Sequence, residues 1–413
     1  MDVIVLGLML LSLTIWLGLL CFWGQFWRTD QQLEVTETRL KSLPVVCVVV
    51  PARNEAELIP TSLRSLLLQD YPGSFNVFLV DDRSTDRTAN FAEGVAHAVG
   101  KPQQLHIISG ESLPSGWSGK LWAVEQGIKS ASNFAPDYFL LTDADIEHDS
   151  SNLRRLVAKA VQEDLDLVSV MVRLRCKSFW EKLLIPAFVF FFQKLYPFHW
   201  VNNPNNPTAA AAGGSILIAR EALERIGGIQ VIRQALIDDC ALAQAVKRGT
   251  GGWGLGGREE FSQSPVPSTQ YPIPSQGRIW LGLSSLTRSL RPYDSLATIW
   301  DMVARTAYTQ LNYSPLLLLG TLLGMPLIYL APPVCMILGA VWSNWAIALT
   351  GLFGWLLMAL AYYPTIRFYK CSVWFAFSLP AIAFLYTLMT LDSALRHWQG
   401  RGGAWKGRVY PNP

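Results

Sequence analysis

Three acidic stretches have residue types and spacings that could do chemistry. In LLTDADIEHDS, Leu140 to Ser150, Asp143, Asp145 and Glu147 stand at alternate positions directly after an apolar run. On an extended chain, residues i and i+2 share a side, so Asp143 and Asp145 would converge on one small volume. A hard divalent cation relieves that repulsion, because Mg2+ takes one or two carboxylates together with substrate phosphate oxygens. The same stretch also reads as a solvated strand end and a helix cap, with Asp149, Ser150 or Ser151 capping NLRRLVAKAVQED. In VDDRSTDRT, Ser84 or Thr85 is placed to cap the next helix with Asp86 in its first turn, while Asp81 and Asp82 suit hydrogen bonds from a base or ribose. In LIDDCALAQAVKRG, Asp238 and Asp239 open an amphipathic helix. They are either an N-cap pair favoured by the macrodipole or the site of a general base that takes a proton from a hydroxyl. Lys120, in SGWSGKLWA, opens another helix, where it either meets a diphosphate beside backbone N–H groups or simply faces solvent.

These residues need a frame. From Pro44 onward, short β-branched runs (VVCVVV, NVFLV, LHII, YFLLT) alternate with helical patterns. Continuous apolar strands separated by helices of ten or more residues predict a parallel, doubly wound α/β sheet. Ligands of such sheets sit outside the carboxyl ends of the strands. PARNE, DDRSTDRT and TDAD all fall there, which favours the chemical reading of Asp143 and Asp145.

The chain has 413 residues, 51% of them apolar and 16% charged, with 16 Trp and 19 Phe. About 25% charged is usual for soluble domains, so the composition indicates a membrane contribution. A net charge of +3 gives no argument for a nucleic-acid partner. The six cysteines show no C-x-x-C pair and read as reduced, small buried residues. Val3 to Trp23 carries no charge and is long enough to span a bilayer; it lacks a basic n-region and an A-x-A-like cleavage site, so it reads as a retained anchor. Late apolar blocks cover Pro315 to Trp342, Trp345 to Tyr363 and Val373 to Leu391. LLIPAFVFFF, Leu183 to Phe192, is too short to span and reads as a membrane-surface segment, with a buried helix as the alternative. DSLATIWDMVARTAYTQL reads as a second interfacial helix. With three late spans and a cytosolic middle, the tail bearing Arg396, Arg401, Lys406 and Arg408 would end outside, against the positive-inside tendency. Splitting the first block at Pro332-Pro333 returns it to the cytosol, and that arrangement is the expectation.

The motifs VVVPARNE, LVDDRSTDRT, GKLWAVEQG, TDAD, AAAAGGSILIAR and IDDCALA, in that order, resemble family 2 glycosyltransferases of the GT-A fold. With RIWLGL, RSLRPY, ARTAYTQLNYSPLLLL and WKGRVYP, they resemble the membrane-bound subgroup called hopene-associated glycosyltransferases. The resemblance implies a GT-A catalytic domain, Rossmann-like with a mostly parallel sheet, over residues 44–313. Around it lie an anchor at 1–24, a linker at 25–43, a transmembrane region at 314–392 and a basic tail at 393–413. Interfacial segments fall near 178–200 and 294–311.

It further implies that Asp82 contacts the nucleotide base, with Pro51, Ala52 and Glu55 nearby. Asp145 would be the direct metal ligand, Asp143 would support it or contact the ribose, and Lys120 would lie by the diphosphate. Asp239 would be the base with Asp238 beside it, and Gly213 and Gly214 would line the acceptor side. The implied cofactor is Mg2+ or Mn2+, the donor a nucleotide sugar with UDP expected, and the acceptor a lipid such as a hopanoid or another polyisoprenoid. The reaction would be inverting, at the cytoplasmic membrane, by a multi-pass protein whose catalytic domain faces the cytosol. Two departures stand out. Where membrane synthases of this family carry Q-x-x-R-W, the chain reads MVART; Arg305 remains as a phosphate contact, but the Gln and Trp are missing, which disfavours a processive polysaccharide synthase. A Gly-, Pro- and Ser-rich stretch at 250–276 reads as a flexible insertion. A catalytically silent nucleotide-sugar-binding scaffold is the other alternative, opposed by the intact acid pairs.

Overall fold

The computed structural model describes residues 2–33, 43–249, 277–401, 404–405 and 408–409. The expected insertion at 250–276, part of the linker, and Lys406 lie outside them. Eight strands form one sheet: β1 (Val46–Ala52), β2 (Phe75–Asp81), β3 (Leu105–Ser109), β4 (Tyr138–Leu141), β5 (Ile146–Glu147), β6 (Leu167–Arg173), β7 (Ile216–Ala219) and β8 (Ile279–Ser289). Their order across the sheet is β3-β2-β1-β4-β7-β6-β8-β5. β1, β2, β3 and β4 run parallel, as the sequence predicts. β7 runs antiparallel to both β4 and β6, and β5 to β8, so the sheet is mixed. The chain steps outward from β1 to β3 and then returns to the other side of β1. The crevice between the carboxyl ends of β1 and β4 is therefore the topological switch point, where open α/β sheets hold ligands.

Both faces of the sheet are covered, which is why β1 is an unbroken apolar run. Val46, Val48 and Val50 face helices α2 (Ile59–Leu67), α3 (Thr88–Ala98) and α5 (Asn152–Glu163). Cys47 and Val49 face the other side with residues of α4 (Gly119–Ala131), α6 (Phe179–Leu195) and α9 (Asp238–Arg248). The short helices α7 (Phe198–Val201) and α8 (Arg220–Arg225) complete this layer.

Helix α6 corrects a sequence expectation. Ile185 and Val189 pack into the sheet core while Leu184, Ala187 and Phe190 pack into a second apolar core, all fully buried. Most of LLIPAFVFFF is thus sandwiched between two layers, and its buried-helix reading holds. The second core joins α6 to α1 (Asp2–Phe22) and to the C-terminal helices through Trp16, Tyr329, Met358, Tyr362 and Tyr386.

After β8 come α10 (Leu296–Ala304) and α11 (Ala307–Gln310), then α12 (Pro315–Met325), a wide π turn at Pro326–Leu330, and α13 (Ala331–Val341). α14 (Trp345–Phe368) and α15 (Leu379–Trp398) follow. Among the described residues, four segments are long and apolar enough to cross a membrane: Val3–Phe22, Pro315–Val341, Trp345–Phe368 and Val373–Trp398. Pro315–Val341 is one run of 27 residues, so Pro332-Pro333 does not split it. The two prolines fall in the first turn of α13, where a missing N–H costs little, and the wide turn before them takes up the irregularity.

The last segment is tied to the sheet domain and its connecting helices at both ends. Arg173 donates to the Tyr369 carbonyl (2.8 Å) near its start. Near its end, Trp300 donates to Asp392 (2.7 Å), Arg396 to Asp301 (2.8 Å) and the Tyr308 N–H to Ser393 (3.0 Å).

Candidate active site

The switch-point crevice opens into a cavity whose wall includes Pro51, Thr142, Asp143, Lys120, Gly213 and the head of α9 with Asp238 and Asp239. Four loops widely separated in sequence meet here because each follows a strand end or opens a helix beside β1 and β4.

Asp143 and Asp145 are not on an extended chain. β4 stops at Leu141, and a turn closes from the Asp143 carbonyl to the Ile146 N–H (3.4 Å). The two carboxylates meet different cations: Asp143 accepts from Lys120 (2.9 Å), and Asp145 accepts from Arg291 (2.9 Å) and Ser289 (3.3 Å). Each still feels the other. Burial raises the Asp143 pKa above the ordinary range, Lys120 opposes that rise, and Asp145 adds to it.

Lys120 stands at the start of α4, which Ser118 caps by accepting from the Leu121 N–H. Its ammonium bridges Asp143 and Asp238 (3.1 Å). Burial works against its charge, but the two carboxylates hold it firmly protonated. Asp239 is oriented from both sides: the Gly213 N–H donates to Oδ2 (2.9 Å) and the Cys240 N–H to Oδ1 (2.8 Å). Enclosure and the neighbouring Asp238 push its pKa up to about 6, against Lys120 and the two N–H donors. Gly213 faces the same space, for a Cβ there would lie 3.4 Å from Lys120 Nζ and 3.5 Å from Asp239 Oδ2. Gly214 is turned instead into the core, where a Cβ would collide with Val172 at 2.9 Å.

The loops after β1 and β2 hold each other. Arg53 donates to the Asp82 carbonyl (2.6 Å) and lies 3.6 Å from its carboxylate, which is buried. Ser84 and Thr85 do not cap α3: the Ser84 hydroxyl accepts from the Asn54 N–H, and the Thr85 N–H donates to Asn54. Asp86 receives the Thr88 N–H and hydroxyl instead. Glu55 is buried and accepts from Arg291 (2.6 Å).

Arg291 is the residue that sequence reasoning missed. One guanidinium joins Glu55 of the first loop to Asp145 of the fourth, and those carboxylates keep it charged against its burial. RSLRPY held the signal, but nothing local in it points to residues 236 and 146 positions away. Tyr196 was missed as well; it donates to Gln310 (2.7 Å) and lies beside Asp239 and Cys240. Arg305 is exposed at the end of α10, and its charge reaches the Tyr293 phenol, as those of Asp145 and Asp143 do.

Among the described residues, no three His, Cys, Asp or Glu side chains cluster as a complete metal cage. Two carboxylates on one turn are nonetheless the donor set that Mg2+ or Mn2+ uses when a diphosphate supplies the remaining oxygens. Asp143 and Asp145 therefore fit such an ion, in competition with Lys120 and Arg291.

Residues 47–227 match the family model described as Glycosyl transferase family 2. A 151-residue stretch is 30% identical to an undecaprenyl-phosphate 4-deoxy-4-formamido-L-arabinose transferase of Enterobacter sp. (strain 638), covering 35% of this chain and 42% of that protein. Over 207 residues it is 27% identical to a beta-monoglucosyldiacylglycerol synthase of Synechocystis sp., covering 48% of this chain and 39% of the relative. The chain thus spans under half the length of the curated relatives it matches. The solved mannosyltransferase PcManGT of Pyrobaculum calidifontis, in complex with GDP-Man and Mn2+, shares its fold at a TM-score of 0.55 and 17% identity, over 95% of this chain and 99% of that one. The mixed sheet with its flanking helices is accordingly of the GT-A type.

Proposed function

From a chain that carries a glycosyl transferase family 2 domain over residues 47–227, we propose a membrane-bound inverting glycosyltransferase that moves a sugar from a nucleotide-sugar donor to a lipid acceptor. The observation that carries this reading is Asp239. It is a carboxylate held by two backbone N–H groups at the rim of the switch-point cavity, with a pKa of about 6. A base poised near the working pH takes a hydroxyl proton far better than an ordinary aspartate does.

In the proposed reaction, Asp239 removes the proton from an acceptor hydroxyl. The oxygen attacks the anomeric carbon opposite the leaving nucleoside diphosphate, and one displacement inverts the centre. Asp238 and Lys120 position this machinery. Asp82 with Pro51 and Ala52 forms the nucleotide side of the crevice, and Glu55 acts through Arg291. Lys120, Arg291 and Arg305 supply positive charge for the diphosphate. Mg2+ or Mn2+, bound by Asp145 and Asp143, would neutralise charge on the leaving group.

The four apolar segments and the acceptors named for the two curated relatives favour a lipid, with hopanoid-type polyisoprenoids among the candidates. The expected placement is the cytoplasmic membrane with the sheet domain in the cytosol. The test is to incubate the purified full chain in detergent with a panel of UDP- and GDP-sugars, lipid extract, and either Mg2+, Mn2+ or chelator. Nucleotide release coupled to a lipid bearing one added sugar supports the proposal. Donor binding without turnover for every pair would favour a scaffold, and a product growing by many sugars a processive synthase.

A further inference from the structure

Cys176 lies between β6 and α6, and Cys371 lies just beyond α14, 195 positions away. Their sulfurs are 3.7 Å apart, against about 2.05 Å in a disulfide. The joint they share is already held together: Arg173 donates to the Tyr369 carbonyl (2.8 Å), and its guanidinium lies over the Tyr369 ring at 5.8 Å. Both cysteines are partly exposed, whereas Cys47 and Cys240 are buried and donate to backbone carbonyls. The remaining two, Cys21 and Cys335, lie in apolar helices.

We propose that Cys176 and Cys371 form a reversible disulfide that cross-links the sheet domain to the loop between the last two apolar segments. The hydrogen bond shared with Cys176 and the charges of Lys182 and Arg173 lower the Cys371 thiol against the effect of burial, while Glu181 disfavours the Cys176 thiolate. Cys371 is thus the attacking sulfur, for the thiolate is the nucleophile. Its thiolate displaces one half of a small disulfide of the glutathione class, breaking that S–S bond, and the departing thiolate takes up the proton Cys371 gave up. Cys176 then loses its proton and attacks the Cys371 sulfur, expelling the second small thiol. Two protein thiols are oxidised, and one small disulfide is reduced to two thiols.

The full chain in detergent is equilibrated with glutathione disulfide, alkylated under denaturing conditions and mapped by mass spectrometry. The expected result is loss of two of the six alkylatable thiols, a linked pair of peptides containing Cys176 and Cys371, and full recovery with dithiothreitol. Cys176→Ser and Cys371→Ser each abolish the linked pair. The wild-type measurement stands even if a variant fails to fold. Six reactive thiols in excess oxidant would overturn the assignment, as would a stable glutathione adduct on Cys371 with Cys176 still free.

Discussion

Replacing Asp239 with Asn probes the proposed base directly. A general base contributes roughly 10²–10⁴ to rate, equivalent to about 2.7–5.5 kcal/mol of barrier. Asparagine keeps the shape but cannot take the proton, so turnover should fall by that factor. Stability should move little, because two effects oppose. Asn has one acceptor oxygen for the two N–H donors of Gly213 and Cys240, and one N–H left unpaired costs about 1–3 kcal/mol. In the other direction, the pKa of Asp239 is raised in the fold to about 6. The stability linked to it is full below the ordinary carboxylate range and lost as pH rises through about 6. Asn removes that penalty at neutral pH. The assay is transfer rate against pH for wild type and variant, with calorimetric donor affinity alongside. Wild-type kcat/KM should rise about tenfold per pH unit below about 6 and then level off, and the variant should lose that limb while donor affinity stays within a few-fold. Wild-type turnover in Asp239→Asn, or the same limb surviving in it, would refute the assignment of the base.

Lys120→Met leaves Asp143 and Asp238 facing each other without their shared cation. Unfolding free energy should drop by about 1.5–3 kcal/mol near neutrality and by less in acid, where Asp143, whose pKa burial raises, protonates; a pH series of denaturant melts checks this. Arg291→Ala removes the guanidinium that Glu55 and Asp145 share, at a cost of about 1.5–3 kcal/mol. Arg291→Lys keeps the charge but not the fork that spans Glu55 and Asp145, so it should fold and bind donor more weakly by titration calorimetry. Gly213→Ala puts a methyl at ordinary contact distance from Lys120 and Asp239, so kcat/KM should fall with little change in melting temperature.

Several parts of the site were legible because the signal was local. VVCVVV and YFLLT announce buried strands, and the residues after YFLLT must sit at its carboxyl end, which placed Asp143; Lys120 was read from a helix start, and its role and that of Pro51 came from the family resemblance. The same local reading failed at Asp145, because β4 ends with the apolar run at Leu141 and the turn that follows has no two-residue period. Arg291 was invisible for a different reason: it reaches the site from beyond β8, and no spacing within RSLRPY encodes contacts with the first and fourth loops. The antiparallel direction of β7 was likewise unreadable, since ILIA is equally apolar in either direction.

The ties at the two ends of the final apolar segment bear on how the chain is threaded. Phe377, near the segment's beginning, accepts from Trp355 in the middle of α14, and Ala394, near its end, packs on Leu318 close to the start of α12. A stretch that leaves the sheet domain at Tyr369 and is fastened to α10 and α11 again at Asp392, Ser393 and Arg396 doubles back partway, so both its ends lie beside the sheet domain. In the proposed membrane placement, that leaves α1, Pro315–Val341 and α14 to cross. The two crossings after the sheet domain would then return the chain to the face that carries it, bringing Arg396 and Arg401 with it, and the charge asymmetry would be met with every proline-containing helix left whole.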